Sequence, residues 1–155
     1  GGVNFKMAEK MQLTGVKFFT EKQVDGITCG SGVMGELPGA MAADDFIMML
    51  KREFDVECVQ CNQLLRRPIR TVAICGGAGS FLLPEAIAAG ADAFVTGEMH
   101  YHDYFAHEQE IQIAVIGHYQ SEQYTYEIFK SIIEEQCEGV RCVVTSQNTN
   151  PIIYL

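Results

Sequence analysis

RTVAICGGAGSFLLPEAIAAGADAFVTG, residues 70–97, is the segment that decides the fold. Its first part, Arg70 to Cys75, is a short apolar run that predicts a buried strand. A glycine-rich turn follows, and Ser80 to Ala89 then predicts a helix, with Pro84 in or near the first turn, where a missing N–H costs least. Ala93 to Thr96 predicts another short buried strand. Strands that alternate with helices in this way indicate an α/β sheet.

The same alternation continues toward the C-terminus. We expect a helical turn or two from His102 to Glu108, a strand from Gln112 to Ile116, and a long helix that Ser121 caps and that ends at Gly139. Val140 to Thr145 and Ile152 to Leu155 are expected to be closing strands. The inward face of the long helix is predicted to carry Ile128, Phe129, Ile132, Ile133 and Cys137. The sequence thus predicts a layered mixed sheet flanked by helices and largely parallel in this half.

The N-terminal part predicts a helix at each end and short extended segments between them. Val3 to Leu13 and Ala42 to Phe54 carry apolar residues at helical spacing. Val16 to Phe19 is predicted to be a strand, and Glu21 to Asp25 a polar connection. Gly26 to Gly35 is rich in glycine but alternates in polarity, which suggests a strand that another backbone approaches closely. Residues predicted to point inward from the second helix are Phe46, Met49, Leu50 and Phe54.

Composition limits the classes of function. A chain of 155 residues, 48% of them apolar, is expected to form a single domain (1–155) with its own core. The apolar runs are too short to cross a bilayer, and no signal-peptide pattern follows Gly1. The net charge of −9 disfavours binding to a nucleic-acid backbone.

The chain has six cysteines and enough apolar residues to form a core without disulfides. We therefore expect the cysteines to be reduced and mostly buried, in a cytosolic protein. Cys58 and Cys61 form a C-x-x-C spacing that permits a redox pair or half of a zinc site. A predicted strand from Val56 to Cys61 would point the two thiols to opposite sides, which favours a structural role instead.

The chemistry-bearing motif is GHYQSE, residues 117–122, directly after a predicted strand. If a helix starts by His118, that imidazole and the Glu122 carboxylate lie four residues apart on one face. Imidazole and carboxylate together suit zinc, manganese or iron. The alternative is a histidine at a strand end and a glutamate favoured by the helix dipole. Two ligands do not make a tight site, so further ligands would have to come from elsewhere.

Two other turns are expected near the same sheet edge. Residues 75–80, CGGAGS, could bind a dinucleotide, wall an active-site cleft, or form a tight packing turn; Leu82 stands where the dinucleotide motif needs a third glycine. Residues 96–103, TGEMHYHD, contain His100 and His102, which would point apart on a helix. His102 is the candidate catalytic residue, as a proton donor or a partner of a metal ligand, although a lone histidine is more often structural.

Five segments taken in order resemble the GTP cyclohydrolase I type 2 family, also called the Nif-three-like family. The resemblance covers essentially the whole chain. The segments are GGVN with Ala8-Glu9 (1–9), GSGVMGEL (30–37), VAICGGAGS (72–80), GADAFVTG with Tyr101-His102 (90–102), and GHYQSE (117–122).

The resemblance implies an α/β protein with two similarly built halves and two metal ions in the cleft between them. This chain would be the C-terminal portion, with His118 and Glu122 as its metal ligands, and the N-terminal half would supply the others. Glu98 stands where the family usually has aspartate, and His100 where lysine is common. An inserted domain found in some relatives between the regions of Phe19 and Gly30 is expected to be absent.

The resemblance also implies a function and an assembly. We expect a metal-dependent, cyclohydrolase-like enzyme that acts on a nucleotide or another phosphorylated heterocycle, with two zinc, manganese or iron ions per complete site. The alternative is a non-catalytic interaction or regulatory protein with a structural metal site. Relatives form toroidal hexamers, so we expect a homo-oligomer, and a cytoplasmic protein with no membrane contact.

Overall fold

The computed structural model describes residues 1–153, and a six-stranded mixed sheet flanked by helices dominates it. The strands are β1 Thr14–Phe18, β2 Glu21–Val24, β3 Ile27–Gly30, β4 Val33–Met41, β5 Gln60–Cys61, β6 Ile69–Cys75, β7 Ala93–Thr96 and β8 Gln112–Val115. The helices are α1 Val3–Lys10, α2 Ala43–Phe54, α3 Leu83–Ala88, α4 His118–Glu122 and α5 Thr125–Gln136. The main sheet has the order β1-β4-β6-β7-β8-β5, and β2 pairs with β3 in a separate hairpin. The predicted α/β class is confirmed.

Three neighbouring parallel strands form the centre of the sheet. In β6 and β7, Cys75 lies opposite Thr96, and in β7 and β8, Thr96 lies opposite Val115. These three residues are the last of their strands. The turns that follow them therefore meet at one edge of the sheet, where ligands collect in open α/β folds.

Apolar residues cover both faces of this sheet, as alternation along a strand requires. Val72 and Ile74 pack into one cluster with α1 and α2, whereas Ala73 and Cys75 pack into the other with α3. The predicted inward residues of α2 are all buried. Both faces being covered explains why β7 and β8 read as continuous apolar runs.

The predicted polar connection from Glu21 to Asp25 is wrong, because Glu21–Val24 forms β2 and pairs with β3 across a two-residue turn. Asp25 and Gly26 both have positive φ, at 51° and 78°, which is the geometry of a tight hairpin turn. The predicted single strand from Gly26 to Gly35 is also wrong, because the chain leaves β3 at Gly30 and enters β4 at Val33.

Several smaller boundaries also differ from the sequence predictions. The N-terminal helix ends at Lys10 rather than Leu13, since Gln12 turns the backbone with a φ of 56°. Ser80 to Ala89 forms a 3₁₀ turn followed by α3, with Pro84 near its start as expected. The helical turn expected from His102 to Glu108 is a short 3₁₀ helix, Tyr101–Tyr104.

The cysteines are all free within the described residues, but the expectation that most are buried is wrong. Only Cys75 is buried, and Cys58, Cys61 and Cys137 are exposed. The predicted strand from Val56 shrinks to Gln60–Cys61. Cys58 therefore lies outside any strand, and strand alternation does not set the directions of the Cys58 and Cys61 thiols. The cytosolic location inferred from cysteine usage stays a prediction.

The C-terminal region differs most from the sequence prediction. A short helix, α4, precedes α5, and Ser121 lies inside α4 and is buried rather than capping a long helix. No residue of α5 is buried, so its predicted inward face is wrong for the described chain. An amphipathic stripe predicts which residues share a face but not what covers that face.

The two predicted closing strands are not formed in the described residues. Residues 140–145 form no strand, and neither do Ile152 and Ile153; Tyr154 and Leu155 lie outside the described residues.

No helix within residues 1–153 combines the length and the apolar character needed to cross a bilayer.

Candidate functional site

The site lies where β6, β7 and β8 end, and each strand is followed by a glycine turn. Gly117 has a φ of 96° and turns the chain sharply from the end of β8 into α4, which begins at His118. Gly77 follows β6 with a φ of 64°, and Gly97 follows β7 directly. Positive φ suits glycine because it has no Cβ to clash with the backbone.

His118 lies between two carboxylates, one on each ring nitrogen. Its Nδ1 is 2.7 Å from Glu98 Oε1, and its Nε2 is 3.3 Å from Glu122 Oε2. The side chain of His118 is 44% exposed, as is that of Glu122. The four-residue spacing in α4 therefore places an imidazole nitrogen and a carboxylate oxygen together at an open surface.

Side-chain hydroxyls connect the three turns. Ser121 Oγ accepts a hydrogen bond of 2.9 Å from the Gly77 N–H and donates one of 2.8 Å to the His118 carbonyl. Thr96 Oγ1 accepts from the Gly79 N–H and donates to the Gly77 carbonyl. Both hydroxyl residues are fully buried, so these bonds hold the turns in place without competition from water.

The Gly77 carbonyl also accepts hydrogen bonds from the N–H groups of Gly97 and Glu98, each 3.0 Å long. The turn after β6 and the turn after β7 thus share one acceptor. The sequence alone did not assign Ser121, Thr96 or Gly97 to this role. Apart from the local bond of Ser121 to the His118 carbonyl, the side-chain hydroxyls bond to groups between 17 and 44 residues away in the chain, which no local pattern could have identified.

Two of the glycines leave space that the site requires. A Cβ on Gly77 would collide with Glu122 Oε1 and would lie 3.4 Å from His118 Nε2. A Cβ on Gly97 would lie 2.7 Å from Ser121 Oγ and 2.9 Å from His118 Cα. The contacts with Glu122, Ser121 and the His118 Cα are too short for a real Cβ, so glycine at these positions lets the turns approach α4.

The electrostatics of the site favour a positive charge on or beside His118. The hydrogen bond to Glu98 raises the pKa of His118 above its ordinary value; burial opposes this effect, and the charge of Glu122 adds to it. A proton on the ring competes with any metal ion for Nε2, because a histidine ligand must be neutral.

The buried Cys75 thiol lies close to the site and is protonated at neutral pH in the metal-free chain. Burial raises its pKa to about 11, and the charge of Glu122 adds to the effect. Its Sγ lies 3.3 Å from the Ser31 carbonyl, consistent with a weak S–H donor.

The glycine turn from Gly76 to Gly79 fits a packing role better than dinucleotide binding. The N–H groups of its three glycines are already paired: Gly76 with Asn4 Oδ1, Gly77 with Ser121 Oγ, and Gly79 with Thr96 Oγ1. A pyrophosphate needs such donors free at the start of a helix. A Cβ built on Gly77 would meet Glu122 and His118, so the turn packs close to both candidate ligands, but the residues that line the cleft do not include the turn.

His102 lies in a different place from His118. It lines a second depression with Ser80, His100 and His107, and its ring stacks on Phe105 with 6.3 Å between the centroids. The residues that line the cleft of His118 do not include it. A catalytic role for His102 stays a prediction.

The donor set that the described chain brings together is small. Within residues 1–153, no three His, Cys, Asp or Glu side chains cluster as metal ligands. Glu98 contacts Nδ1 and Glu122 lies near Nε2, so the two carboxylates are on opposite edges of the ring. A metal ion placed between His118 Nε2 and Glu122 would therefore have these two donors from the described chain.

The cleft continues past these donors along α5 and the segment after it. Tyr126, Phe129 and Ile133 of α5 line one wall, and residues 142–152 line another. The cleft therefore combines an ionisable end, at Glu98, His118 and Glu122, with an apolar wall.

Comparison with known proteins gives one family. The sequence signature of the family described as Duf34/NIF3 (NGG1p interacting factor 3) matches residues 1–151. The GTP cyclohydrolase 1 type 2 homolog of Staphylococcus epidermidis is 33% identical over 130 residues, which are 81% of this chain and 35% of that protein. The protein of the same name in Listeria innocua is 33% identical over 132 residues, with the same coverage. The chain spans about a third of the length of these curated relatives.

Solved structures agree with the fold. Staphylococcus aureus protein SA1388 superposes with a TM-score of 0.85 at 22% identity and covers 99% of this chain and 65% of that one. A Bacillus cereus protein related to NIF3 superposes with a TM-score of 0.71 at 28% identity, covering 85% and 38% of the two chains.

Proposed function

The chain belongs to the Duf34/NIF3 family, and on that premise we propose that it contributes part of the active site of a metal-dependent hydrolase. The observation that carries the proposal is the 3.3 Å approach of His118 Nε2 to Glu122 Oε2 at the carboxyl edge of the sheet. The pair is exposed, so an ion and a substrate can reach it.

The residues present fit a divalent transition metal. A neutral imidazole nitrogen and a carboxylate oxygen are the donors that zinc, manganese and iron accept. The absence of a Cβ at Gly77 keeps the space around Glu122 Oε1 and His118 Nε2 open. A complete site with two ions needs further ligands, and we propose that they come from outside this chain.

Each residue of the site has a defined task in this proposal. His118 Nε2 and Glu122 would hold the metal, which when bound lowers the pKa of a coordinated water and polarises the bond under attack. Ser121 and Thr96 fix the turns, and the apolar wall of α5 would exclude water from one side of the substrate. His102 would donate a proton only if a substrate or a movement of its loop brought it to the cleft.

The substrate class in this proposal follows from the relatives. Those relatives carry the name GTP cyclohydrolase 1 type 2 homolog, so we propose a nucleotide or a phosphorylated heterocycle. The acidic chain, with its net charge of −9, would bind such an anion only with the help of the metal charge.

Titration calorimetry with Zn²⁺ and Mn²⁺ tests the metal site directly. We expect the double variant His118→Ala, Glu122→Ala to lose at least about tenfold in affinity, equal to about 1.4 kcal/mol. The control is His107→Ala, Glu110→Ala, which removes another histidine–carboxylate pair, 2.7 Å apart. Equal affinity in the wild type and the His118/Glu122 variant would reject the site.

Turnover of GTP by the whole protein, with zinc or manganese, tests the enzymatic part. We expect the same double variant to abolish hydrolysis. Unchanged turnover in that variant would contradict the mechanism even if metal binding were lost.

A second candidate function is a non-catalytic, oligomeric interaction protein with a structural metal site. The exposed apolar side of α5 favours it: Phe129 is 61% exposed, and Tyr126, Ile132 and Ile133 accompany it. An amphipathic helix with no buried residue is a typical element of an interface between chains. In this proposal the partner is a second copy of the chain, in a ring.

Sedimentation analysis separates this candidate from a monomeric enzyme. Phe129→Glu places a charge in the apolar stripe and should dissociate an assembly that α5 builds. Ser131→Glu adds the same charge on the opposite side of α5 and should leave the assembly intact. Assembly that is unchanged by Phe129→Glu would remove α5 from the interface.

A further inference from the structure

We infer that Glu98 is a positioning residue, which holds the His118 ring in the orientation and tautomer that leave Nε2 free for the metal. The inference rests on the proposed metal site, since it assigns a task to a residue beside its ligand. Glu98 itself would not bind the ion, because its carboxylate contacts the opposite ring nitrogen.

The hydrogen bond between these two residues determines where the ring proton lies. Glu98 Oε1 is 2.7 Å from His118 Nδ1, the length of a strong charge-assisted bond. An ionised carboxylate can only accept a hydrogen bond, so Nδ1 must carry the proton. A neutral ring then presents its lone pair at Nε2, toward Glu122.

The backbone of Glu98 is fixed, which is necessary if its side chain is to orient another residue. Its N–H donates to the Gly77 carbonyl at 3.0 Å, and the preceding Gly97 N–H donates to the same oxygen. Gly97 lies directly against the His118 Cα, since a Cβ at position 97 would come within 2.9 Å of that atom. The two residues are therefore held at a constant separation by buried contacts, although the Glu98 carboxylate itself is 57% exposed.

A carboxylate that accepts from the free nitrogen of a metal-binding histidine has two effects. It fixes the tautomer, and it makes the ligating nitrogen more basic. Loss of such a partner typically reduces metal affinity roughly tenfold to a hundredfold. Within residues 1–153, His100 and His107 also have a carboxylate near Nδ1, from Asp103 and Glu110. Of these histidines, His118 alone lines the cleft and has a second carboxylate at Nε2.

Nitrogen-detected NMR of the metal-free chain tests the inference without any assay of activity. At a pH where the ring is neutral, we expect His118 to carry its proton on Nδ1 in the wild type. Glu98→Ala should shift the population toward the tautomer that is protonated on Nε2. Glu110→Ala removes a matched carboxylate from His107 and should leave the His118 signals unchanged. A His118 tautomer that is the same in the wild type and in Glu98→Ala would overturn the inference.

Zinc titration separates positioning from direct ligation. We expect Glu98→Ala to weaken Zn²⁺ binding roughly tenfold to a hundredfold. Glu98→Gln keeps an oxygen that can accept from Nδ1, so it should restore most of the affinity. If Glu98→Gln lost as much affinity as Glu98→Ala, the charge or a direct bond to the ion would matter, and the positioning role would be wrong.

The two proposals fail in different ways. If Zn²⁺ binding did not depend on His118 and Glu122, the metal site would be rejected, while the NMR result would still report on the Glu98 contact. If binding depended on His118 and Glu122 but not on Glu98, the metal site would stand and the inference about Glu98 would be overturned.

Discussion

Gly77 is the residue on which the geometry of the site depends most sharply. Its φ of 64° favours glycine, and a Cβ here would displace the Glu122 carboxylate. Gly26 in the β2–β3 turn has a similar φ of 78° but open space around it. The two positions therefore separate backbone strain from crowding of the site.

Gly77→Ala should destabilise the chain and weaken metal binding, whereas Gly26→Ala should only destabilise it. Each substitution carries about 1–2 kcal/mol of left-handed backbone strain. The added Cβ at position 77 should also displace Glu122 and weaken Zn²⁺ binding about tenfold, or about 1.4 kcal/mol. Urea denaturation and zinc titration of both variants are the measurements. Equal zinc affinity in the two variants would contradict the account of Gly77.

Asp92 anchors the start of β6 and shows how one carboxylate affects stability with pH. Burial alone would raise its pKa, but the N–H groups of Thr71 and Arg70 and the Arg67 guanidinium outweigh burial and lower the pKa below its usual value. Asp92 Oδ2 accepts both N–H groups at 2.9 Å. A depressed pKa contributes stability above about pH 4, and that stability is lost as the pH falls through the folded-state pKa.

Asp92→Ala should therefore lower the free energy of unfolding by roughly 2 kcal/mol near neutral pH. The difference from the wild type should shrink as the pH falls below about 4. Chemical denaturation across this range is the measurement, with the exposed Glu57→Ala as control. A difference that grew toward acid would show that the sign of the shift is wrong.

At the scale of elements, Ser121 holds α4 to the sheet and does not cap the long helix that the sequence predicted. Ser121 is fully buried, and its Oγ joins the Gly77 N–H to the His118 carbonyl. The sequence prediction that Ser121 caps the long helix is wrong, and no local pattern identified the Gly77 N–H, 44 residues earlier, as a partner of its hydroxyl.

Ser121→Ala should lower the free energy of unfolding by about 1–3 kcal/mol, because the buried Gly77 N–H would lose its acceptor. Ser131→Ala on α5 removes a hydroxyl that donates to Glu135 at the surface and should change stability by less than about 0.5 kcal/mol. Urea unfolding of the wild type and both variants measures these changes in the free energy of unfolding. Similar losses in both variants would mean that the Ser121 bonds add nothing beyond a surface contact.

The elements that sequence could predict are strands that are buried on both faces and a helix whose inward face is buried. β6, β7 and β8 and the inward face of α2 were predictable because continuous apolar runs and helical spacing leave few other choices. The β2–β3 hairpin was missed because its first strand is exposed throughout and reads as polar. Its turn residues, Asp25 and Gly26, were the available signal.

At the scale of the whole molecule, the sequence predicted that His118 and Glu122 lie close together but did not predict the contacts that other segments make with them. His118 and Glu122 share a face because four residues make about one helical turn, and that local rule holds in α4. The contact with Glu98 depends on two strands lying side by side, which no local spacing encodes. The face of α5 was predicted as an apolar stripe, but what covers it was not predictable from that stripe alone.

Crystals grown with Zn²⁺ and measured at the zinc absorption edge test the central claim most directly. We expect an anomalous peak about 2.0–2.2 Å from both His118 Nε2 and a Glu122 oxygen, with Glu98 still bonded to Nδ1. A peak only among His100, His102 and His107, or none near His118, would contradict the account.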